Sequence, residues 1–166
     1  MQKAIMSLRP DPDALGFVLI DVARMLRSAF ERRIVAAGLG LTPGEARTLV
    51  RIATLEGSRQ LEIAQHMGIE PMTLSTYLDR LQSLGFIERR PDPADRRAKL
   101  IHTTPAAADI ITSIRIEQIE LMQLVTSGIG EEDLALMRER MKRLRANLAA
   151  LEEDSAALAL AKEAGR

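Results

Sequence analysis

The chain has 166 residues, 46% hydrophobic and 28% charged, which suits one folding unit with a helical appendage rather than two full domains. Having no cysteine excludes disulfides, thiolate metal sites and thiol redox sensing, and no run of about 18 uncharged apolar residues is present to cross a membrane. Lys plus Arg and Asp plus Glu stand at 23 each, so any attraction for a polyanion has to come from local charge.

With three Phe, one Tyr and no Trp, the core must be built from aliphatic side chains, which favours helix-on-helix packing. The first residues, Met1 to Ser7, lack a long apolar run followed by a cleavage site, so a cytoplasmic protein is expected. Leu15, Val18, Leu19, Val22, Leu26, Ala29, Phe30 and Ile34 recur at helical spacing and predict a first helix over residues 13–37, stopped by Gly38 and Gly40. Thr42-Pro43-Gly44-Glu45 supplies an N-cap, a proline at the first helical position and a glutamate three residues on. This capping box opens a second helix that runs to about Leu55. Glu56-Gly57-Ser58 breaks the chain, a short helix from about Arg59 to Met67 stops at Gly68, and a fourth helix starts near Glu70-Pro71 and ends before Gly85.

Beyond Gly85 the pattern becomes extended. Phe86 to Arg90, a turn over Pro91 to Arg96 and a return strand of about Lys99 to Thr103 predict a hairpin. Thr104-Pro105 then launches a long helix to about Thr126, and Gly128 and Gly130 separate it from a last helix whose first turn, Glu131-Glu132-Asp133, suits the helix dipole. Leu134, Met137, Met141, Leu144, Leu148 and Leu151 step by three and four along it, like a short coiled-coil seam.

The order of elements contains a helix-turn-helix followed by a wing. Ala64 sits where two helices would cross, Gly68 makes the turn, and Ile69 and Leu74 plug the angle between them. Taken alone, this spacing fits an ordinary helical hairpin with a glycine stop equally well; the hairpin that follows it favours the DNA-reading arrangement. Between Phe86 and His102 the basic residues Arg89, Arg90, Arg96, Arg97 and Lys99 outnumber Glu88, Asp92 and Asp95. Arg96 and Arg97 at a hairpin tip cannot both fold back on the core, so they point into solvent or onto a partner. A narrow DNA minor groove, with its enhanced negative potential, accepts a guanidinium held by a neighbouring aspartate.

The run Arg89-Arg90-Pro91-Asp92-Pro93-Ala94-Asp95-Arg96-Arg97-Ala98-Lys99 resembles the wing signature of the MarR family of bacterial transcription regulators, with its Asp-x-Arg element at Asp95 and Arg97. Leu41-Thr42, Leu61 to Ile69, Leu78-Asp79-Arg80-Leu81 and Gly85-Phe86-Ile87 extend the resemblance over roughly residues 13–150. Thr76 departs from it, standing where many members have Arg, and Thr103 and Ala107 replace the usual Leu and Gly. The expected fold is mainly α with a small β-hairpin wing, a winged helix-turn-helix with N- and C-terminal dimerisation helices. Its expected parts are residues 1–40 for the N-terminal dimerisation segment and first helix and 41–104 for the DNA-binding lobe. Residues 105–152 follow as the C-terminal dimerisation helices, and 153–166 as a tail whose order the pattern leaves open.

Double-stranded DNA is then the expected partner. Pro71, Met72, Thr73, Ser75 and Thr76 occupy the first turns of the recognition helix, where threonine methyls suit thymine and hydroxyls suit phosphate or base edges. Arg80, lower on the helix, reaches phosphate or pairs with a carboxylate. Asp95, Arg96, Arg97 and Lys99 form the wing site, and Ser58 and Arg59 are candidate phosphate contacts at the start of the short helix. Leu15, Val18, Leu134, Met137, Met141, Leu144 and Leu148 are the candidate dimer contacts, alternatively packing within one chain, and the resemblance implies a homodimer. It also implies a small, often aromatic or phenolic, ligand between the dimer helices and the DNA-binding lobe, with Met25 and Phe30 as candidate lining or plain core. His66 and His102 stand outside any metal-ligand spacing, and no catalytic constellation or cofactor motif is recognisable, so no metal, cofactor or enzymatic role is expected. The alternative function is a winged-helix module that binds protein, which the zero net charge favours.

Overall fold

The computed structural model describes residues 11–95 and 97–164. Helix α1 spans Leu15–Ala37, α2 Pro43–Thr54, α3 Gln60–Met67 and α4 Pro71–Ser83. Strands β2 (Ile87–Pro91) and β3 (Lys99–Thr103) form the hairpin, and a 3-10 turn at Pro105–Ala107 leads into α5 (Ala108–Val125). Helix α6 covers Glu131–Ala164. It passes Glu152 without a break, because no glycine or proline occurs between Glu131 and Ala164 and the segment is rich in Ala, Leu, Glu and Arg.

The capping box expected at α2 forms as written. Thr42 Oγ1 accepts from the Glu45 amide, and the Glu45 carboxylate accepts from the Thr42 amide at 2.8 Å. Gly68 ends α3 in the left-handed conformation at φ 61°, and the next amide, of Ile69, reaches back to the Ala64 carbonyl. These two features set the angle between α3 and α4.

A strand β1 at Ser58–Arg59 was not expected. It pairs antiparallel with β3, Ser58 opposite Ile101 and Arg59 opposite Leu100, so the sheet has three strands in the order β1-β3-β2. Two residues are too few for an alternating pattern to register in a sequence, and only the approach of β3 makes them a strand. Pro91 is accommodated because β2 is an edge strand.

The core gathers Leu49 and Ile52 of α2, Ile63 and Ala64 of α3, and Leu74, Leu78 and Leu81 of α4, with Ile87 and Ile101 from the sheet and Ile34 and Ile114 from α1 and α5. Ala64 is buried at the α3–α4 crossing, as its small size requires. Gly44 has a related role on α2: a Cβ there would lie 2.5 Å from the Tyr77 hydroxyl oxygen, so α2 and α4 depend on a bare backbone at that point.

The chain divides into two compact units, the first ending at Met122 and the second beginning at Gln123. In the first, α1 exposes Leu15, Phe17, Val18 and Ile20, and α5 exposes Ile116 and Ile119. In the second, Met137, Met141 and Leu148 of the seam are exposed and Leu134 and Leu144 are half-buried. No helix among the described residues is long and apolar enough to cross a membrane.

Because Leu78 is wholly buried and Thr76 lies on the exposed face of the same helix, truncating them should have unequal effects. Leu78→Ala should cost about 2–5 kcal/mol of unfolding free energy and Thr76→Ala under about 0.5 kcal/mol, measured by urea titration followed by circular dichroism.

Candidate nucleic-acid interface

Helix α4 owes its outward chemistry to the side it buries. With Leu74, Leu78 and Leu81 inside, its exposed face carries Pro71, Met72, Thr73, Thr76, Asp79 and Arg80, and Ser75 is half-buried at the edge. Met72 is 82% exposed in the first turn, an apolar side chain held out to water where contact with a thymine methyl is available. Thr76 Oγ1 donates to the Met72 carbonyl at 3.3 Å, which leaves its methyl and its oxygen lone pairs directed outward. Gln60 Nε2 donates to the Pro71 carbonyl at 3.3 Å, tying the start of α3 to the start of α4.

The wing is built on two aspartates with different tasks. Asp92, at the root, is one of two buried polar residues in the described chain; its Oδ2 accepts from Arg59 Nε at 2.8 Å and from the second guanidinium nitrogen, and its Oδ1 accepts from the Ala94 amide at 2.8 Å. Asp95, nearer the tip, accepts from the Arg97 amide at 3.0 Å, while its own carbonyl accepts from the Ala98 amide. Asp95 therefore holds the Arg97 backbone and not, as expected, its guanidinium. Asp95 shapes the turn, and the Arg97 side chain stays exposed with no ion-pair partner among the described residues.

Pairing divides the remaining cations of the hairpin. Arg89 folds onto α4, donating to Asp79 at 2.6 Å and to Gln82, and Arg90 pairs with Glu88 on its own strand. Lys99 is exposed without a carboxylate partner among the described residues, and Arg96 lies outside them. Arg80, for which two fates were open, is exposed and has no ion pair among the described residues. Free positive charge thus sits at the wing tip and on α4.

Ser58 and Arg59 need a different reading from the expected one. Ser58 lies in β1, half-buried, and the Arg59 guanidinium is committed to Asp92. An arginine so engaged joins the α3 start to the wing root and is no longer a free phosphate ligand. Nothing in the sequence announced this partner, since 33 positions separate the two residues. The Asp92 carboxyl is held below its ordinary range, first by the Ala94 amide and then by Arg59. Its contribution is accordingly complete at neutral pH and is lost as pH falls below the usual carboxylate range.

Away from these surfaces, the two candidate ligand contacts separate. Phe30 is buried in the core and lines a cavity of about 660 Å³ bounded by α1, α2, the end of α3 and α5. Met25 is 61% exposed and does not line it, because it projects from another side of α1. His102 Nδ1 stands 3.3 Å from Glu56, whose carboxylate also accepts from the Thr103 amide, and no cluster of three metal-ligating side chains occurs among the described residues.

A sequence model of the MarR family matches residues 41–99, the stretch from the capping box to the return strand. A solved transcriptional regulator, PA3341, is 34% identical, with 81% of this chain and 97% of that one covered at a TM-score of 0.66. The chain belongs to the MarR family. A crystal structure of MarR is 27% identical over 88% of this chain and 99% of that one, with a TM-score of 0.73. A MarR-family regulator from Rhodococcus sp. RHA1 is 26% identical over 82% and 95%, with a TM-score of 0.70. The winged helix-turn-helix is therefore that of a MarR-family transcription regulator, which implies DNA binding and a non-enzymatic role.

For this MarR-family regulator, Arg59 and Asp92 should behave as one unit. Arg59→Ala and Asp92→Ala should weaken operator binding by similar amounts that do not add in the double variant, and neither should change the slope of log affinity against log salt. Arg97→Ala should lower that slope by about one unit if the side chain meets a phosphate-lined groove. Fluorescence anisotropy over a salt series measures both. As pH falls from about 5 to about 3, wild type should lose more thermal stability than Asp92→Asn, which has no carboxylate there to protonate.

Proposed function

We propose that the protein acts as a homodimeric repressor on a pseudo-palindromic operator and is released by a small ligand. The observation that carries the reading is the division of labour between α4, whose outer face presents Pro71, Met72, Thr73 and Thr76 with only Asp79 and Arg80 charged, and a wing whose cations without a carboxylate partner among the described residues, Arg97 and Lys99, lie at or near its tip. In this reading Thr73, Ser75 and Thr76, with Met72 and Pro71, select bases in the major groove through methyls, hydroxyls and shape. Arg80 meets the backbone there. Arg97, Lys99 and Arg96 supply the electrostatic hold in the adjacent minor groove, on a turn shaped by Asp95.

Dimerisation is supported by the apolar surface that α1 and α5 leave exposed and by the part-exposed seam of α6. Leu15 and Val18 with Met137, Met141 and Leu148 are the contacts proposed, Leu134 and Leu144 lying deeper beside them. A twofold dimer places the two recognition helices about one turn of DNA apart, so half-sites should be centred roughly 10 bp from each other. Ligand release is supported by the cavity beside Phe30, whose walls come from helices on both the dimerisation and the DNA-binding sides of the first unit. Met25 has no part in it.

Selection of bound sequences from random duplexes should return an inverted repeat with that spacing, and Arg97→Ala should bind it about tenfold or more weakly at physiological salt. Sedimentation should give a dimer. A monomer, or unchanged affinity in Arg97→Ala, sinks the proposal; no duplex binding even at low salt would favour the protein-binding module instead.

A further inference from the structure

The reading end of α4 is defined by what it lacks. None of Pro71, Met72, Thr73, Ser75 and Thr76 carries a guanidinium, an ammonium or an amide, the groups that pair bidentately with guanine or adenine. The nearest such groups are engaged or distant. Gln60 Nε2 donates to the Pro71 carbonyl, and Arg89 occupies both Asp79 and Gln82. Arg80 is exposed, but it stands about 12 Å farther along the helix axis than Met72, whereas base edges meet the N-terminal residues of a recognition helix.

What this end offers instead is methyl groups. Met72, Thr73 and Thr76 are all exposed, and spacings of three and four residues place Thr76 beside the other two. Thr76 already donates its hydroxyl proton to the Met72 carbonyl at 3.3 Å, so it has no donor left for a base. A lone hydroxyl such as that of Thr73 meets donors and acceptors alike and separates bases weakly. An apolar side chain held in water, as Met72 is, gains free energy on meeting an apolar surface. In the major groove that surface is the 5-methyl group of a pyrimidine, present on thymine and on cytosine only when it is methylated.

We propose that α4 selects its half-site through pyrimidine 5-methyl groups, with Met72 and the Thr76 methyl forming the apolar contact, and that 5-methylcytosine replaces thymine at that contact. The proposal rests on the DNA-regulator reading above and names the chemical group that α4 reads. It also makes a half-site in which cytosine stands for a read thymine responsive to methylation of that cytosine.

The test uses the full-length protein and the duplex it selects from random sequences, with each thymine replaced in turn by deoxyuridine. That exchange removes the 5-methyl and leaves every hydrogen-bonding group of the base in place. Fluorescence anisotropy at fixed salt should show a loss of about fourfold per methyl at one or two positions in each half-site. A cytosine–guanine pair at such a position should bind more weakly than the parent, and 5-methylcytosine there should recover about the same fourfold. Met72→Ala should bind the parent duplex more weakly and cease to distinguish thymine from uracil at one of those positions. Thr76→Val, which keeps the methyl, should stay within about twofold of wild type, whereas Thr76→Ser, which keeps the hydroxyl, should bind more weakly. Both positions are exposed, so the variants should fold, which circular dichroism melting checks. No loss with uracil at any position, no recovery with 5-methylcytosine, full discrimination against uracil in both Met72→Ala and Thr76→Ser, or failure of Thr76→Val where Thr76→Ser binds normally would each overturn this proposal and leave the regulator reading standing. A protein that selects no duplex at all would end both.

Discussion

One face of α4 is committed to the interior, and the rest of the DNA-binding lobe depends on that commitment. Leu74, Leu78 and Leu81 are wholly withdrawn from water against Leu49, Ile52 and Ile63. A helix held on one side by three buried leucines has no rotational freedom left, so its opposite face is presented in a single orientation. Thr73, Thr76 and Arg80 are outward for that reason and not because of any contact they make themselves. Gly68 adds the second constraint: its left-handed backbone ends α3 and fixes where α4 begins.

Charge is handled with similar economy. A chain of zero formal charge can still attract a polyanion if its cations are sorted by whether they are paired. Arg59, Arg89 and Arg90 each have a carboxylate partner, and the first two hold the wing to the start of α3 and to α4. Arg97 and Lys99, at or near the tip, have no ion pair among the described residues. Paired arginines position the wing, and the exposed Arg97 and Lys99 leave positive charge near its tip. The same sorting sets Arg27, Arg47 and Arg51, which line the cavity beside Phe30, apart from Arg33, whose two glutamates tie α1 to α5.

The helices outside the lobe follow a different rule. They carry exposed Leu, Ile, Val and Met in numbers that a small lobe cannot cover, which is the signature of surface meant to meet another chain. Phe30 and Ile34 turn the C-terminal half of α1 into the core while Leu15 and Val18 at its N-terminal half remain exposed.

Much of this was legible from residue order alone. The capping box at Thr42 to Glu45, the stop at Gly68, the leucine face of α4 and the bounds of β3 are local features, decided by interactions within a few positions of one another. For the same reason the hairpin and the helix that precedes it were recognisable as elements. What only the tertiary structure decided were the long-range partnerships. β1 exists because β3 lies beside it, Arg59 is a wing anchor because Asp92 is buried opposite it, and Arg89 is tied to α4 because Asp79 lies within its reach. The cavity's arginines come from two helices, Arg27 on α1 and Arg47, 20 positions later, on α2. Local pattern specifies which face of each element is apolar; which polar group meets which is settled only when those faces have packed together.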